Sequence, residues 1–353
     1  MGGNRDVQPI VGITMGDASG IGPEIIVKAL SLKEIYDLCR PIVIGDLSVM
    51  REAVKLTNVG LGLNKVLNVD EALFNFGVID VLDLGNIDLN RLKVGQVDEM
   101  SGRASVQYII RAVDLAMRGE IDAIATAPIN KEAINRAGYN YSGHTELLAD
   151  LTKTKEYTML LIAGNLRVTH VTTHVSMREA CKLVKKERIL KTIELTNKAL
   201  INLGIEKPRI GVAALNPHGG EGGLFGREEI EEIRPAVEEA RKMGINVDGP
   251  IPADTIFVKA KGGMFDAVVA MYHDQGHIPI KLLGLEWNEA EKKWASVRGV
   301  NITVGLPIIR TSVDHGTAFG KAWKGRANPQ SMIEAIKFAA KLAKLRFKTK
   351  ITW

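Results

Sequence analysis

At 353 residues the chain is long enough for two domains sharing a cleft, and its 46% hydrophobic and 25% charged residues are ordinary for a globular protein. A net charge of +5, spread along the chain, gives no case for a nucleic-acid partner, and no apolar run approaches membrane-spanning length. Cys39 and Cys181 lie far apart and in no metal spacing, which points to a reducing, cytoplasmic setting rather than a disulfide scaffold.

The opening residues MGGNRDVQPI have no apolar signal-peptide core and read as a loose lead-in to a strand at Val11 to Thr14. MGDASGIGPEIIVKAL follows as a Gly-rich loop and a helix, with Pro23 in the first turn where its missing N–H costs nothing. Gly16, Gly20 and Gly22 fit either a tight turn or backbone approach to a ligand, since their spacing matches neither GxGxxG nor a phosphate-binding P-loop. Strands are predicted at Pro41 to Gly45, in VIDVLDLG, and at Ala123 to Pro128. Between the last two, SGRASVQYIIRAVDLAMRG reads as an amphipathic helix with Val106, Ile109, Ile110, Val113 and Met117 on its apolar face. NKEAINRAG is a helix ended by Gly138. YSGHTELLADLT opens another, which places His144 and Thr145 beside amide donors, where they either meet an anion or simply belong to a capped helix start.

EYTMLLIAGNLRVTHVTTH reads as a hairpin turned at Gly164-Asn165, and residues 178 to 204 as one long charged helix. RIGVAALN is a strand, NPHGGEGGLFG a Gly-rich loop, and EEIEEIRPAVEEARKMG an acidic helix kinked at Pro235. GPIPADTIF reads as extended and holds Asp254. AVVAM is a buried strand from which YHDQG, then HIPIKLLG, emerge. EWNEAEKKWASVRG is expected to be an exposed hairpin or flap, VNITVGLPIIRTS a strand and loop, and Asn328-Pro329 the start of a final helix.

Three of these strands deliver an imidazole at or beyond their carboxyl ends: His174, His218 and His273. Open α/β sheets bind ligands at that edge. Three neutral imidazoles would hold a divalent ion and leave it a position for substrate oxygens, with Asp274 and Glu221 available to orient the rings. The donor set suits zinc, cobalt, manganese or magnesium. Lys281, Asn301 and Arg310 flank apolar segments nearby. Arg310 suits either a carboxylate or phosphate, or a surface ion pair.

Together the motifs TMGDASGIGPE, TAPINKEA, GHTELLA, TTHVSMREA, NPHGGEGG, GPIPADT, YHDQGHIPIK and VNITVGLPIIRTSVDHGTAF resemble the 4-hydroxythreonine-4-phosphate dehydrogenases and their relatives acting on other four-carbon phosphorylated acids. The resemblance spans nearly the whole chain. It implies an α/β fold of two α/β/α domains similar to isocitrate and isopropylmalate dehydrogenases, with the active site in the cleft. Residues 1–130 with 305–353 would form the nucleotide-binding domain, and 131–304 the metal-binding, dimerising one. It implies that His174, His218 and His273 bind the metal in a homodimer, one of the three coming from the partner subunit, and that His144, Thr145, Lys281, Asn301 and Arg310 contact substrate. NAD or NADP would lie at Gly16, Asp17, His315, Gly316, Thr317 and Asn328, with the adenine against His315.

The implied reaction is oxidation of a 4-phosphorylated 3-hydroxy acid followed by loss of carbon dioxide from the 3-keto acid, with Asp254 and Lys281 as candidates for proton transfer. A structural role for Asp254 stands beside that reading. GKAWKGRANP departs from the usual pattern of the dinucleotide loop and leaves NAD against NADP open. The long insert from Leu285 to Gly299 is more like the paralogues acting on 4-phospho-D-threonate or 4-phospho-D-erythronate, so both substrate types are carried forward. A non-catalytic ligand-binding protein would show no turnover, and a metal hydrolase would work without nicotinamide.

Overall fold

In the computed structural model, residues 8–289, 293–297 and 299–349 are described. Residues 1–7, 290–292, 298 and 350–353 lie outside them. The chain divides into two compact units, one running to Lys153 and resuming at Leu306, the other Thr154–Gly305.

The first unit holds strands β1 (Ile10–Thr14), β2 (Arg40–Gly45), β3 (Gly62–Val66), β4 (Val78–Asp83) and β5 (Ala123–Thr126), with helices α1 (Gly22–Leu30), α2 (Lys33–Leu38), α3 (Leu47–Thr57), α4 (Glu99–Met117), α5 (Lys131–Arg136) and α6 (His144–Leu151). Late in the chain, β14 (Arg310–Val313) and α12 (Gln330–Thr349) rejoin it. The sheet runs β3-β4-β2-β1-β5-β14 and is parallel throughout. Strands β1, β2, β4 and β5 are mainly apolar and buried because helices cover the sheet, α4 packing on β1 and β2 and α12 on β5 and β14, whereas β14 is buried but largely polar and β3 at the edge is mostly exposed or half-buried.

The second unit holds β6 (Thr158–Ala163), β7 (Leu166–His170), β8 (Ile210–Ala213), β9 (Val247–Ile251), β10 (Ala267–Ala270), the paired β11 (Leu285–Asn288) and β12 (Lys293–Val297), and β13 (Gly299–Val304). Its helices are α7 (Met177–Leu183), α8 (Lys186–Asn202), α9 (Arg234–Lys242), α10 (Ala253–Lys261) and α11 (His273–Gly284). The order β13-β6-β7-β10-β8-β9 is antiparallel across its first three strands and parallel across the rest. The core lies between the sheet and α10 and α11, where Leu161, Val168, Ile256, Val268 and Ile280 meet.

Several expectations change in three dimensions. The boundary falls at Lys153 rather than at residue 130, because α5 and α6 pack on α4 and stay with the first unit. On α4, Val106, Ile109 and Val113 are buried as expected, but Ile110 and Met117 are exposed. The single helix over 178 to 204 is two. It breaks at Lys185, where Glu232 takes both the Lys185 ammonium at 2.7 Å and the Lys186 amide at 2.8 Å. A tertiary carboxylate thus satisfies a helix start that the local pattern does not mark. The π-helical turn Glu229–Ile233 sits just before Pro235, as the predicted kink requires. GPIPADTIF is not all extended, since α10 begins at Ala253 with the Thr255 and Ile256 amides donating to the Pro252 carbonyl. HIPIKLLG continues α11 despite Pro279 inside it. VNITVGLPIIRTS forms two strands, with Arg310 opening the second rather than closing a loop.

Candidate active site

The imidazoles follow three neighbouring parallel strands. β10 is flanked by β7 and β8, and beyond their carboxyl ends come His273, His174 and His218 in turn. His174 and His273 have ring centroids 5.7 Å apart and line one cavity of about 270 Å³ with Thr173, Tyr272 and Asp274. The His273 Nδ1 lies 2.7 Å from the Asp274 carboxylate. That contact fixes which ring nitrogen is occupied and leaves Nε2 for a ligand.

His218 is reached by a different device. Residues His218 to Gly222 all have left-handed backbone angles, with φ between 46° and 80°. Glycines at 219, 220 and 222 allow this, but His218 and Glu221 are held there at a cost of about 1–2 kcal/mol each. Strain of that kind persists where surrounding structure enforces it, and it clusters at functional sites. The segment just before the left-handed turn is held by Glu229, buried in the π-helical turn. Its carboxylate accepts from the Leu215 and Asn216 amides at 2.8 and 2.7 Å and from the Asn216 side chain at 2.9 Å. The left-handed turn brings Glu221 back to the His218 Nδ1 at 3.1 Å, the same carboxylate–imidazole arrangement as at His273.

Among the described residues of one chain, no three His, Cys, Asp or Glu side chains gather closely enough to hold a metal. His218 therefore does not join His174 and His273 within the single chain. Two neighbouring imidazoles on a cavity, with the His273 and His218 Nδ1 atoms each beside a carboxylate, fit a divalent ion as a partial donor set that needs a further ligand. Asp254 is exposed in the first turn of α10, Lys281 is half-buried on α11, and Asn301 lies on β13 with its Oδ1 enclosed and without a partner among the described residues.

In the first unit the polar groups are enclosed. Arg310 is 2% exposed, which removes the surface ion-pair alternative. Its guanidinium donates to the Thr126 hydroxyl at 2.8 Å. Burial pulls it down to about 9, opposed by the charge of Glu146. His144 is the first residue of α6, Gly143 precedes it, and no side chain caps the helix. Part of His144 is exposed, but its Nε2 is enclosed and has no hydrogen-bond partner among the described residues. Burial, then the nearby Arg310 charge, holds its imidazole well below its usual range, so it is neutral near pH 7. Thr145 is buried beside it.

The expected dinucleotide positions are partly brought together. The Ile21 amide donates to the Thr317 carbonyl at 3.1 Å, and a side chain at Gly20 would strike Thr317. Gly316 faces open space, the His315 Nδ1 meets the Gly316 carbonyl at 3.0 Å, and Asn328 caps α12 by accepting from the Gln330 amide at 2.9 Å. Gly16 has φ +72°, and any side chain there would meet the Pro128 carbonyl. Asp17 is fully buried. Its Oδ1 accepts from the Ser19 amide and the Ser101 hydroxyl, so it ties the loop to α4 instead of facing outward. Desolvation raises it to about 6.

The sequence reading passed over Glu146, Glu229 and His277. Glu146 lies in the GHTELLA motif and His277 stands four residues after His273, a helical spacing that marks one face. Nothing local marks Glu229.

A parallel sheet covered by helices in the first unit, a mixed sheet in the second, and imidazoles past adjacent strand ends define an α/β enzyme of the isocitrate and isopropylmalate dehydrogenase-like fold class. Residues 37–339 match the family described as pyridoxal phosphate biosynthetic protein PdxA. D-threonate 4-phosphate dehydrogenase of Cupriavidus necator is 50% identical over 342 residues, covering 97% of this chain and 99% of that one. A protein of Oceanobacillus iheyensis, provisionally given the same name, is 52% identical over 338 residues, covering 95% and 98%. The crystal structure of a 4-hydroxythreonine-4-phosphate dehydrogenase from Burkholderia phymatum superposes with a TM-score of 0.80 at 48% identity, covering 96% and 99%. The chain belongs to the PdxA family and is a dehydrogenase of that family.

Proposed function

We propose that the chain oxidises a four-carbon, 4-phosphorylated 3-hydroxy acid with NAD or NADP, and that the 3-keto acid formed then loses carbon dioxide. The observation that carries this reading is the His174–His273 pair on one cavity, with Asp274 holding the His273 Nδ1. D-threonate 4-phosphate is the favoured substrate, because whole-length relatives at 50 and 52% identity carry that name. 4-Hydroxythreonine 4-phosphate is the second reading, supported by the 48% identity to the Burkholderia phymatum dehydrogenase named for that substrate.

His174, His218 and His273 would hold a divalent ion, with one imidazole of each set coming from a second copy of the chain. When bound, the ion supplies Lewis acidity to substrate oxygens and the nicotinamide ring supplies a hydride acceptor. Arg310 would present a fixed cation to the substrate's phosphate or carboxylate, and burial makes that charge count for more than a surface lysine would. The neutral His144 ring and Thr145 would hydrogen-bond the same substrate without adding charge. In the second unit, Asn301 offers an enclosed amide oxygen that lacks a partner among the described residues, which a substrate hydroxyl would satisfy. Lys281 and Asp254 are the groups placed to move a proton to or from the substrate. Exposed Val258, Ile278 and Leu282, on the helices that carry Asp254 and His273, offer apolar surface for the second copy. No helix among the described residues is long and apolar enough to cross a membrane.

The test is a spectrophotometric screen for reduced nicotinamide with D-threonate 4-phosphate, D-erythronate 4-phosphate and 4-hydroxythreonine 4-phosphate, with NAD and NADP, before and after chelation. Turnover of one of the three that disappears with chelator is expected. Turnover that survives complete metal removal would sink the metal role, and none with any of them would sink the substrate class.

A further inference from the structure

His277 has no place in the reading so far, yet it sits at the centre of a run of imidazoles. Its ring stacks on His273, with centroids 3.7 Å apart and planes 12° from parallel. Its Nδ1 lies 2.9 Å from the His273 carbonyl. A carbonyl only accepts, so that nitrogen carries the hydrogen and the ring's orientation is fixed. His170 also neighbours it, 4.8 Å away between centroids with the planes tilted by 41°.

His170 is fully buried at the end of β7. Apart from a contact with the Met159 backbone, neither of its ring nitrogens has a partner among the described residues. Burying such a group costs about 1–3 kcal/mol. Room for it is made by Gly276, where a side chain would strike the His170 Nε2 and come within 2.7 Å of a Val168 methyl carbon. A costly imidazole, and a glycine that admits it, are thus both spent on supporting the His277 ring.

The consequence falls on His273. Asp274 holds its Nδ1, which sets rotation about the ring axis, and the His277 face sets the plane of the ring. Both restraints come from α11 itself: His273, His277 and Lys281 succeed one another at intervals of four on one helix face. We propose that His277 is a positioning residue for a divalent metal ion, holding the His273 imidazole in the orientation that aims its Nε2 at the ion, with His170 as its buttress. This rests on the metal reading above and goes beyond it.

The test uses full-length protein freed of metal and titrated with cobalt(II) alone, followed by calorimetry and by the visible absorption of the bound ion. Wild type is expected to bind, and His273→Ala to lose the signal. His277→Ala should weaken cobalt(II) binding by about tenfold, as loss of a ligand-orienting group does, and should change the absorption bands. His277→Phe keeps a flat face and should stay within about threefold of wild type with the bands preserved. If wild type binds no cobalt(II), the metal reading itself fails. If wild type binds and His277→Ala matches it in affinity and bands, or His277→Phe is no better than His277→Ala, only the positioning role fails. Should the Ala variant lose its far-UV helical signal, His277→Phe decides alone: near-wild-type affinity supports the stack and a tenfold loss overturns it.

Discussion

In the first unit Arg310, Asp17 and the Nε2 of His144 are enclosed by protein, while in the second His174, His218 and Asp274 stand in the open. The first unit has already met the desolvation cost of its charge. Arg310 is pulled down to about 9 and Asp17 raised to about 6, both chiefly by burial. The second keeps its donors solvated and puts its cost into backbone shape, in the left-handed turn at His218 and the buried glutamate beneath it. The difference teaches that a charge can be fixed inside one folded unit, whereas the His174 and His218 imidazoles of the other remain open to solvent.

The largest effect is expected from the exposed side of that contrast. His218→Ala should reduce turnover to background while the far-UV spectrum stays that of the folded protein, because an exposed ring contributes little to packing. Full activity in that variant would remove the metal site. Arg310→Lys tests the enclosed side. A lysine keeps the charge but lacks the planar fork, so KM for the phosphorylated substrate should rise about tenfold or more, with some loss of Tm. An unchanged KM would take Arg310 out of substrate binding and leave it a structural cation.

Asp17 gives a pH signature. In the fold its carboxyl titrates at about 6 instead of 3.8, so the folded state holds a proton that the unfolded chain releases between those values. This contribution is fully present below the unfolded value and is lost as pH rises through about 6. Asp17→Asn should therefore match wild type in urea midpoint near pH 4 and exceed it near pH 7, by up to about 3 kcal/mol. A variant that loses stability at both pH values would mean the carboxylate is needed charged. The smallest effect is expected at Ile110, exposed on α4 although its spacing suggested core. Ile110→Lys should change stability by no more than about 0.5 kcal/mol in thermal unfolding. A loss of several kcal/mol would show that this face is covered in solution.

Much of this was legible in the amino-acid order. Apolar runs such as Val11 to Thr14 and Ala267 to Ala270 are buried strands because they must be covered on both faces. The hairpin turn at Gly164-Asn165 and the Asn328 cap of α12 are local chemistry, written within a few residues. The eight motifs carried the family. What failed were features decided at a distance. Lys185 sits at the start of α8, where Glu232, 47 residues away, takes its ammonium and the Lys186 amide. Arg310 is enclosed because β5 and the α6 region close around it.

The sequence by itself determined most of the strands and helices, and that three imidazoles would follow strands, since both depend on periodicity and on contacts close along the chain. Only the tertiary structure decided that the strands before those imidazoles are neighbours, that His273 carries His277 on its face, and that Asp17 turns inward. Burial and strand order depend on residues distant along the chain, and the His273–His277 stack, four residues apart on one helix, depends on ring orientations that the spacing allows but does not set.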